Sequence, residues 1–245
     1  KKKAISGTID SLMVEEDKEV KNYNEVLDEI KKFYQNLFSK KDLNENGTQV
    51  FLEGLNLPKI SDSDRTMCEN EITLDDLKES MLSMCDDKSP GNDGLSREFY
   101  NFFWEEVGVL MYDSFMEAKV KKELSASQRQ AIIKLLEKLD KDRRFIKNWR
   151  PISLLNIDVK ILNKALAKKL KKVLKSIVGA NQTAYVEGRF IGEATRLVSD
   201  ILEVTKECNV PGYMVLMDVE KAFDSMDHGF LLEVLKIFGF GENFI

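Results

Sequence analysis

The spacing of apolar side chains predicts a chain built mainly of amphipathic helices. In several separate stretches apolar residues recur every three or four positions, which is the period of an α-helix. The predicted helices cover residues 24–38, 73–85, 96–119, 158–178 and 191–205, and a last one follows Asp227. Asn24 and Thr73 can cap the first two, because their side chains accept hydrogen bonds from free helix amides. The pattern therefore favours a helix-rich globular fold.

Other stretches predict β-strands. Residues 131–136 and 149–156 are rich in apolar side chains and flank a charged loop, which predicts a hairpin. The run from Tyr213 to Met217 is apolar throughout, as is typical of a strand in the centre of a sheet. The stretches without a clear period are residues 1–20, an irregular or hairpin segment, and residues 40–64, a connecting segment. We therefore expect an α/β (α+β) fold that is rich in helix.

Composition places the chain among ordinary globular proteins. Its 245 residues are 43% hydrophobic, enough for one sizeable core or two smaller ones. Three well-separated cysteines predict neither a zinc site nor a disulfide framework, which fits a reducing, intracellular setting. The expected localisation is the cytoplasm and nucleus, without secretion. No stretch approaches the roughly 20 apolar residues of a membrane span. With His228 as its single histidine, a Ser-His-Asp triad or a histidine-rich metal site is hard to build.

Charge is distributed unevenly along the chain. The net charge is −5, yet Lys119 to Lys175 contains 18 basic and 5 acidic residues, a local charge of +13. Two interpretations are open. The segment is either an element that binds a polyanion or a lysine-rich helix face in solvent.

Asp218 follows directly after the apolar run at 213–217. A strand that ends on a carboxylate can hold a divalent cation against a phosphate, because hard oxygen ligands suit magnesium. The alternative is a helix cap or a turn, in which a strand-terminal aspartate is also common. The residues by themselves leave both interpretations open.

Five short segments share their order with one protein family. They are Phe33–Phe38, Lys88–Gly94, Asn148–Asn156, Gln182–Arg189 and Asp218–His228. In that order they resemble the linker, the motif upstream of the fingers, two fingers motifs and the first palm motif of reverse transcriptases of LINE-type, non-LTR retrotransposons. The resemblance implies the fingers and partial palm of a right-hand polymerase. The implied boundaries are 1–64 for an N-terminal linker segment, 65–210 for the fingers and 211–245 for the start of the palm.

The resemblance also implies roles for single residues in nucleotide binding and catalysis. Asp218 would be catalytic and would bind magnesium (Mg²⁺) together with the carbonyl of Val219. Phe223 would lie beneath the incoming sugar and exclude a 2′-hydroxyl, unless it is a core residue. Arg150 would contact the triphosphate, and Lys138 would be a second phosphate contact or a solvated loop lysine.

Further residues are implied in binding nucleic acid. Gln182 and Arg189 would lie near the template or the fingers backbone, and Lys168 and Lys172 belong to the basic segment. The implied partners are an RNA template, a DNA primer and deoxynucleoside triphosphates.

The implied function is RNA-directed DNA synthesis by two-metal nucleotidyl transfer in a full-length parent. The paired aspartates of the family's palm hairpin and the thumb would lie beyond Ile245, so we expect residues 1–245 alone to be an inactive fragment. A non-catalytic, nucleic-acid-binding relic of such an element is the alternative function. A purely structural helical protein would leave the ordered motifs unexplained.

Overall fold

The computed structural model of the chain describes residues 9–15, 18–39 and 45–245. It divides into two compact units, each made of two stretches of sequence. The first comprises Lys1–Ser39 and Ile72–Leu166, and the second comprises Lys40–Glu71 and Ala167–Ile245. The division by compactness does not assign fingers or palm, so the predicted boundaries after residues 64 and 210 stay predictions.

Helices make up most of the described chain. In chain order its elements are β1 (Leu12–Glu15), β2 (Lys18–Val20), α1 (Tyr23–Phe38), α2 (Glu45–Glu53), α3 (Asp62–Glu69), α4 (Leu74–Leu82), α5 (Arg97–Phe102), α6 (Trp104–Lys121), β3 (Ala131–Glu137), a 3₁₀ turn (Ile146–Asn148), β4 (Trp149–Leu155), α7 (Ile157–Ile177), α8 (Ile191–Glu207) and α9 (His228–Ile237). The strands pair as two antiparallel hairpins, β1 with β2 and β3 with β4. The helix-rich fold and the second hairpin confirm the sequence prediction.

The main core of the first unit lies between α4, α5, α6 and the first turns of α7. Each helix contributes side chains that are buried from solvent, among them Leu77, Met81, Tyr100, Phe115 and Ile161. These residues recur at helical spacing, so each helix turns one apolar stripe inward. Burial of these stripes is the main force that holds the helices together.

Local caps set where α4 and α1 begin. The Thr73 hydroxyl accepts a hydrogen bond from the Asp76 amide at 3.1 Å, and the Asp76 carboxylate accepts one from the Thr73 amide at 2.9 Å. This capping box satisfies two backbone donors at once. The cap predicted at Asn24 is wrong by two residues. Asn22 caps α1, since its side-chain oxygen accepts a hydrogen bond from the Asn24 amide at 3.0 Å.

Two other predicted elements differ from the structure. The single helix predicted over residues 96–119 is broken at Phe103, whose backbone leaves the helical region (φ −100°, ψ 24°). The stretch predicted to connect residues 40–64 contains two helices, α2 and α3, while residues 40–44 lie outside the described residues. Helix α2 has only 9 residues, so it is marginal by itself, and burial of Leu52 and packing against α9 stabilise it.

The tip of the β3–β4 hairpin packs against the N-terminal hairpin. Ile146 packs on the buried cluster of Leu12, Val20 and Val26. The Met13 amide also donates a hydrogen bond to the carbonyl of Arg144 at 2.8 Å. The charged tip is therefore held by an apolar contact and a backbone hydrogen bond from β1.

The β3–β4 register is continuous from Ala131 opposite Leu155 to Glu137 opposite Trp149. Trp149 is buried, and its indole N–H donates to the carbonyl of Arg143 at 2.8 Å. Pro151 lies within β4 opposite Leu135 and has no backbone N–H to donate. A proline is tolerated in a paired strand where its nitrogen faces the open edge.

The second unit has its own core around the last turns of α7. Ile60, Cys68, Val173, Ile177 and Phe240 are buried together there. Burial raises the pKa of the Cys68 thiol above its usual value. The core therefore joins residues near both ends of this unit's sequence to the same stretch of helix.

The segment predicted to be a buried strand, Tyr213 to Met217, is neither a strand nor buried. Residues 211–219 have no regular structure, and Met217 is 91% exposed. An apolar run becomes a central strand only where neighbouring strands accept and donate its backbone hydrogen bonds. Among the described residues the four strands are all paired within their own hairpins.

None of the described helices has both the length and the hydrophobicity that a membrane crossing requires.

Replacing Met81 by alanine should destabilise the first unit. Met81 is fully buried, so the change leaves a cavity and should lower the free energy of unfolding by about 2–5 kcal/mol. Leu82→Ala is the matched control, because Leu82 lies on the same helix and is 51% exposed. Its effect on stability should stay below about 1 kcal/mol. Urea denaturation checks both values, and equal effects would contradict the assigned core.

Candidate functional site

The β3–β4 hairpin presents Arg150 on an exposed face. Arg150 pairs with Leu136, and the neighbouring pair on the same face is Ile152 with Lys134. Side chains that alternate along paired strands share one side of the sheet, so Lys134 and Arg150 are diagonal neighbours. Both are exposed. Lys134 was not singled out from the sequence, although the two-residue period on the paired strand could have identified it.

Lys138 follows β3 at the base of the charged tip. Its amide donates to the carbonyl of Asn148 at 2.8 Å, and its ammonium donates to the carbonyl of Lys147 at 2.9 Å. Lys138 therefore closes the hairpin in this structure. Its role as a phosphate contact stays a prediction.

Basic side chains bind the backbone where α4 ends. Arg97 donates to the carbonyls of Met81 and Leu82, each at 3.3 Å. Lys164 donates to the carbonyl of Ser83 at 2.6 Å. The last carbonyls of a helix have no partner within it and carry the negative end of its dipole, so cations are favoured there.

The same arrangement recurs in the second unit. Lys169 binds the carbonyl of Asn70, the residue after α3. The Arg189 guanidinium donates to three carbonyls beyond the end of α7, those of Val178 (2.7 Å), Gly179 (2.5 Å) and Gln182 (2.7 Å). The Gln182 side chain in turn donates to the carbonyl of Ala184 at 3.0 Å. Arg189 and Gln182 thus both bind the backbone of one turn, and their place near the template or the fingers backbone stays a prediction.

The lysines of α7 differ in their exposure. The ammonium of Lys168 is buried, and that of Lys160 lies 3.4 Å from the carbonyl of Ser89. In contrast Lys171, Lys172 and Lys175 are exposed. Of the two α7 lysines implied in nucleic-acid binding, Lys172 is thus the accessible one.

Phe223 is an exposed side chain and not a core residue. It is 86% exposed and meets the ring of Tyr185 edge to face, with the centroids 6.3 Å apart. Tyr185 has a φ of 63°, which is unusual for a bulky side chain. The two aromatic rings therefore contact each other on the surface of the second unit and remain exposed to solvent.

Asp218 and Val219 lie in the exposed segment after residue 217. Across the described ranges, no group of three or more His, Cys, Asp or Glu side chains could hold a metal ion. Asp218 offers one hard oxygen ligand, which suits magnesium, but a stable site needs several. The role of Asp218 and Val219 as magnesium ligands therefore stays a prediction.

Comparison with known proteins decides the family. Residues 137–245, which include Arg150, Arg189 and Asp218, match the reverse transcriptase (RNA-dependent DNA polymerase) family. Residues 137–245 therefore belong to the reverse transcriptase family. The order of the five sequence segments indicated the same family, so that prediction is confirmed.

Two relatives carry transposon names. Over all 245 residues the chain is 37% identical to the transposon TX1 uncharacterized 149 kDa protein of Xenopus laevis, and it covers 18% of that protein. Over 169 residues, 68% of this chain, it is 27% identical to the retrovirus-related Pol polyprotein from type-1 retrotransposable element R1 of Bradysia coprophila, covering 16% of it. The chain therefore spans less than a fifth of the length of either relative.

Replacing Arg189 by alanine should destabilise the second unit. The carbonyls of Val178, Gly179 and Gln182 would no longer have a charged donor, which should cost about 1–3 kcal/mol. Arg196→Ala is the control, because that side chain is largely exposed and pairs only with Asp200 across one helical turn. Thermal unfolding monitored by circular dichroism compares them. A similarly small change in unfolding temperature for both variants would show that the Arg189 contacts do not stabilise the second unit.

Proposed function

We propose that this chain contributes the fingers and the start of the palm to an RNA-directed DNA polymerase of a non-LTR retrotransposon. The observation that carries the proposal is the family match over residues 137–245, a range that contains Arg150, Asp218 and Phe223. The proposed substrates are an RNA template, a DNA primer and deoxynucleoside triphosphates.

In this proposal the exposed face of the β3–β4 hairpin binds the triphosphate. Arg150 donates planar N–H groups that match phosphate oxygens, and Lys134 adds a second positive charge on the same face. Neither side chain is buried, so a ligand reaches both without unfolding the hairpin.

Asp218 and Phe223 are proposed to act in the palm. Asp218 provides one carboxylate for magnesium, and the remaining ligands come from outside the described residues. Phe223 limits space at the sugar of the nucleotide, a role that its exposed ring is free to take. Residues 1–245 alone should then bind nucleic acid without polymerising nucleotides.

A non-catalytic, nucleic-acid-binding relic is the second candidate function. The observation that favours it is that the described residues contain no group of three or more His, Cys, Asp or Glu side chains that could hold a metal ion. The two candidates differ in whether a longer protein that contains residues 1–245 synthesises DNA.

Template-directed primer extension tests the polymerase. A protein in which residues 1–245 are continued by the rest of a reverse transcriptase domain should extend a DNA primer on RNA with magnesium. Asp218→Asn should reduce that rate by at least about 10²-fold, since a charged metal ligand is removed. Asp227→Asn is the matched control and should keep the rate, because asparagine still caps α9.

Three outcomes of this experiment are informative. Synthesis by residues 1–245 alone would contradict the proposed incomplete site. Extension that is unaffected by Asp218→Asn would place the catalytic carboxylates elsewhere. A full-length protein that binds RNA without extending the primer would favour the relic.

RNA binding should depend on the exposed lysines at the end of α7. Replacing Lys171, Lys172 and Lys175 by glutamine should weaken binding for all RNA sequences and reduce the slope of log affinity against log salt. The reduction should be about 0.7–1 for each phosphate that the protein no longer binds. Lys164→Gln is the control, because it makes the same substitution at a lysine whose ammonium binds the carbonyl of Ser83. It should leave the slope unchanged. Filter binding over a salt series measures both, and an unchanged slope in the triple variant would exclude this surface.

A further inference from the structure

Two of the five family segments meet in one buried contact of the first unit. Gly91, in the turn of residues 88–94, lies against the backbone where β4 ends and α7 begins. A Cβ atom on Gly91 would lie 2.2 Å from the side-chain oxygen of Asn156 and 2.4 Å from its backbone nitrogen. Both distances are far shorter than van der Waals contact, so a residue with a side chain cannot occupy this position without moving β4 or the turn.

Both polar atoms of the Asn156 side chain form hydrogen bonds in this contact. Asn156 is 2% exposed. Its amide nitrogen donates to the carbonyl of Ser127 at 3.1 Å, and its oxygen accepts from the amide of Asp93 at 3.4 Å. One side chain therefore connects the segment after α6 to the turn of residues 88–94, and a buried amide left without these partners would be costly.

A second set of hydrogen bonds surrounds the contact. Gln128 is buried and donates to the carboxylate of Asp158 at 3.1 Å and to the hydroxyl of Ser114 at 3.3 Å. Asn92 donates to the side chain of Gln130 at 3.0 Å. The turn, the segment after α6 and the first turn of α7 are thus fixed together around Asn156.

The strand that carries Arg150 is fixed at both of its ends. At one end Trp149 is buried and its indole N–H donates to the carbonyl of Arg143. Directly after the other end, Asn156 donates to the carbonyl of Ser127. Between these anchors Arg150, Ile152 and Ser153 are exposed and the other three side chains are only half-buried. The place of the paired strands relative to the rest of the unit therefore depends strongly on the two anchors.

We propose that Gly91 and Asn156 form a positioning pair that sets the place of the β3–β4 hairpin, and through it the place of Arg150. Neither residue contacts the nucleotide. The inference rests on the proposed role of Arg150 and gives the turn of residues 88–94 a function of its own. It holds the base of the hairpin while the N-terminal hairpin holds the tip.

Nucleotide kinetics of the full-length polymerase test the pair. Asn156→Ala should raise KM for deoxynucleoside triphosphate about tenfold, because a displaced Arg150 binds the triphosphate less well, and should change kcat less than about twofold. Gly91→Ala should have the same effect. Met81→Ala is the control for general destabilisation, and it should leave KM unchanged because the Met81 side chain makes none of the hydrogen bonds of Asn156.

The combination with Arg150→Ala decides whether Asn156 acts through Arg150. If it does, Asn156→Ala has no further effect on KM once Arg150 is alanine, because coupled residues are not additive. Where Arg150→Ala itself raises KM, additive effects or an unchanged KM in Asn156→Ala would overturn the inference. Arg150→Ala alone tests the proposed function.

Amide hydrogen exchange tests the position of the hairpin without a measurement of polymerase activity. In Asn156→Ala the amides of residues 149–155 should exchange faster than in Met81→Ala at equal overall stability. If Arg150→Ala leaves KM unchanged, the proposed function of Arg150 fails, and faster exchange still assigns Gly91 and Asn156 the positioning of the hairpin. Unchanged exchange at residues 149–155 overturns the pair. If Gly91→Ala does not fold, the KM and hydrogen-exchange comparisons use Asn156→Ala alone.

Discussion

The unpaired carbonyls at the ends of helices are the constraint on which much of this structure depends. Each helix leaves its last four carbonyls without a partner inside the helix, and burying them unpaired is costly. Here long basic side chains from distant parts of the sequence satisfy them. Arg97 and Lys164 do so for α4, Lys169 for α3 and Arg189 beyond α7. The helices are thus joined to the rest of their unit by cations as well as by apolar packing.

This use of cations changes how the charge of the middle segment is understood. The sequence suggested either a polyanion-binding element or a solvated helix face. In the structure three half-buried lysines of α7, Lys160, Lys164 and Lys169, bind the backbone of their own unit, while the exposed ones lie in its last turns. Local charge counted from sequence therefore overstates the charge that is free to meet a ligand.

The sequence predicted best what depends on neighbours along the chain. Helix α4 begins at Thr73 and α9 follows Asp227 because a cap and an apolar stripe are local properties. It failed for residues 213–217, since a strand needs partners that hydrophobicity cannot specify. Arg150 could be proposed from a motif, whereas Lys134 required the hairpin register. The contact of Gly91 with Asn156 could not be foreseen, because it joins residues that are close only after folding.

Pro151 has a consequence for the solubility of the chain. A two-stranded hairpin has two open edges, and this one also exposes Ile133 and Ile152. Such an edge can recruit a strand from another molecule and begin aggregation. The proline removes one hydrogen-bond donor from the outer side of β4, next to the charged side chain of Arg150. A strand added at this edge would therefore lack a hydrogen bond at Pro151, which disfavours intermolecular sheet growth.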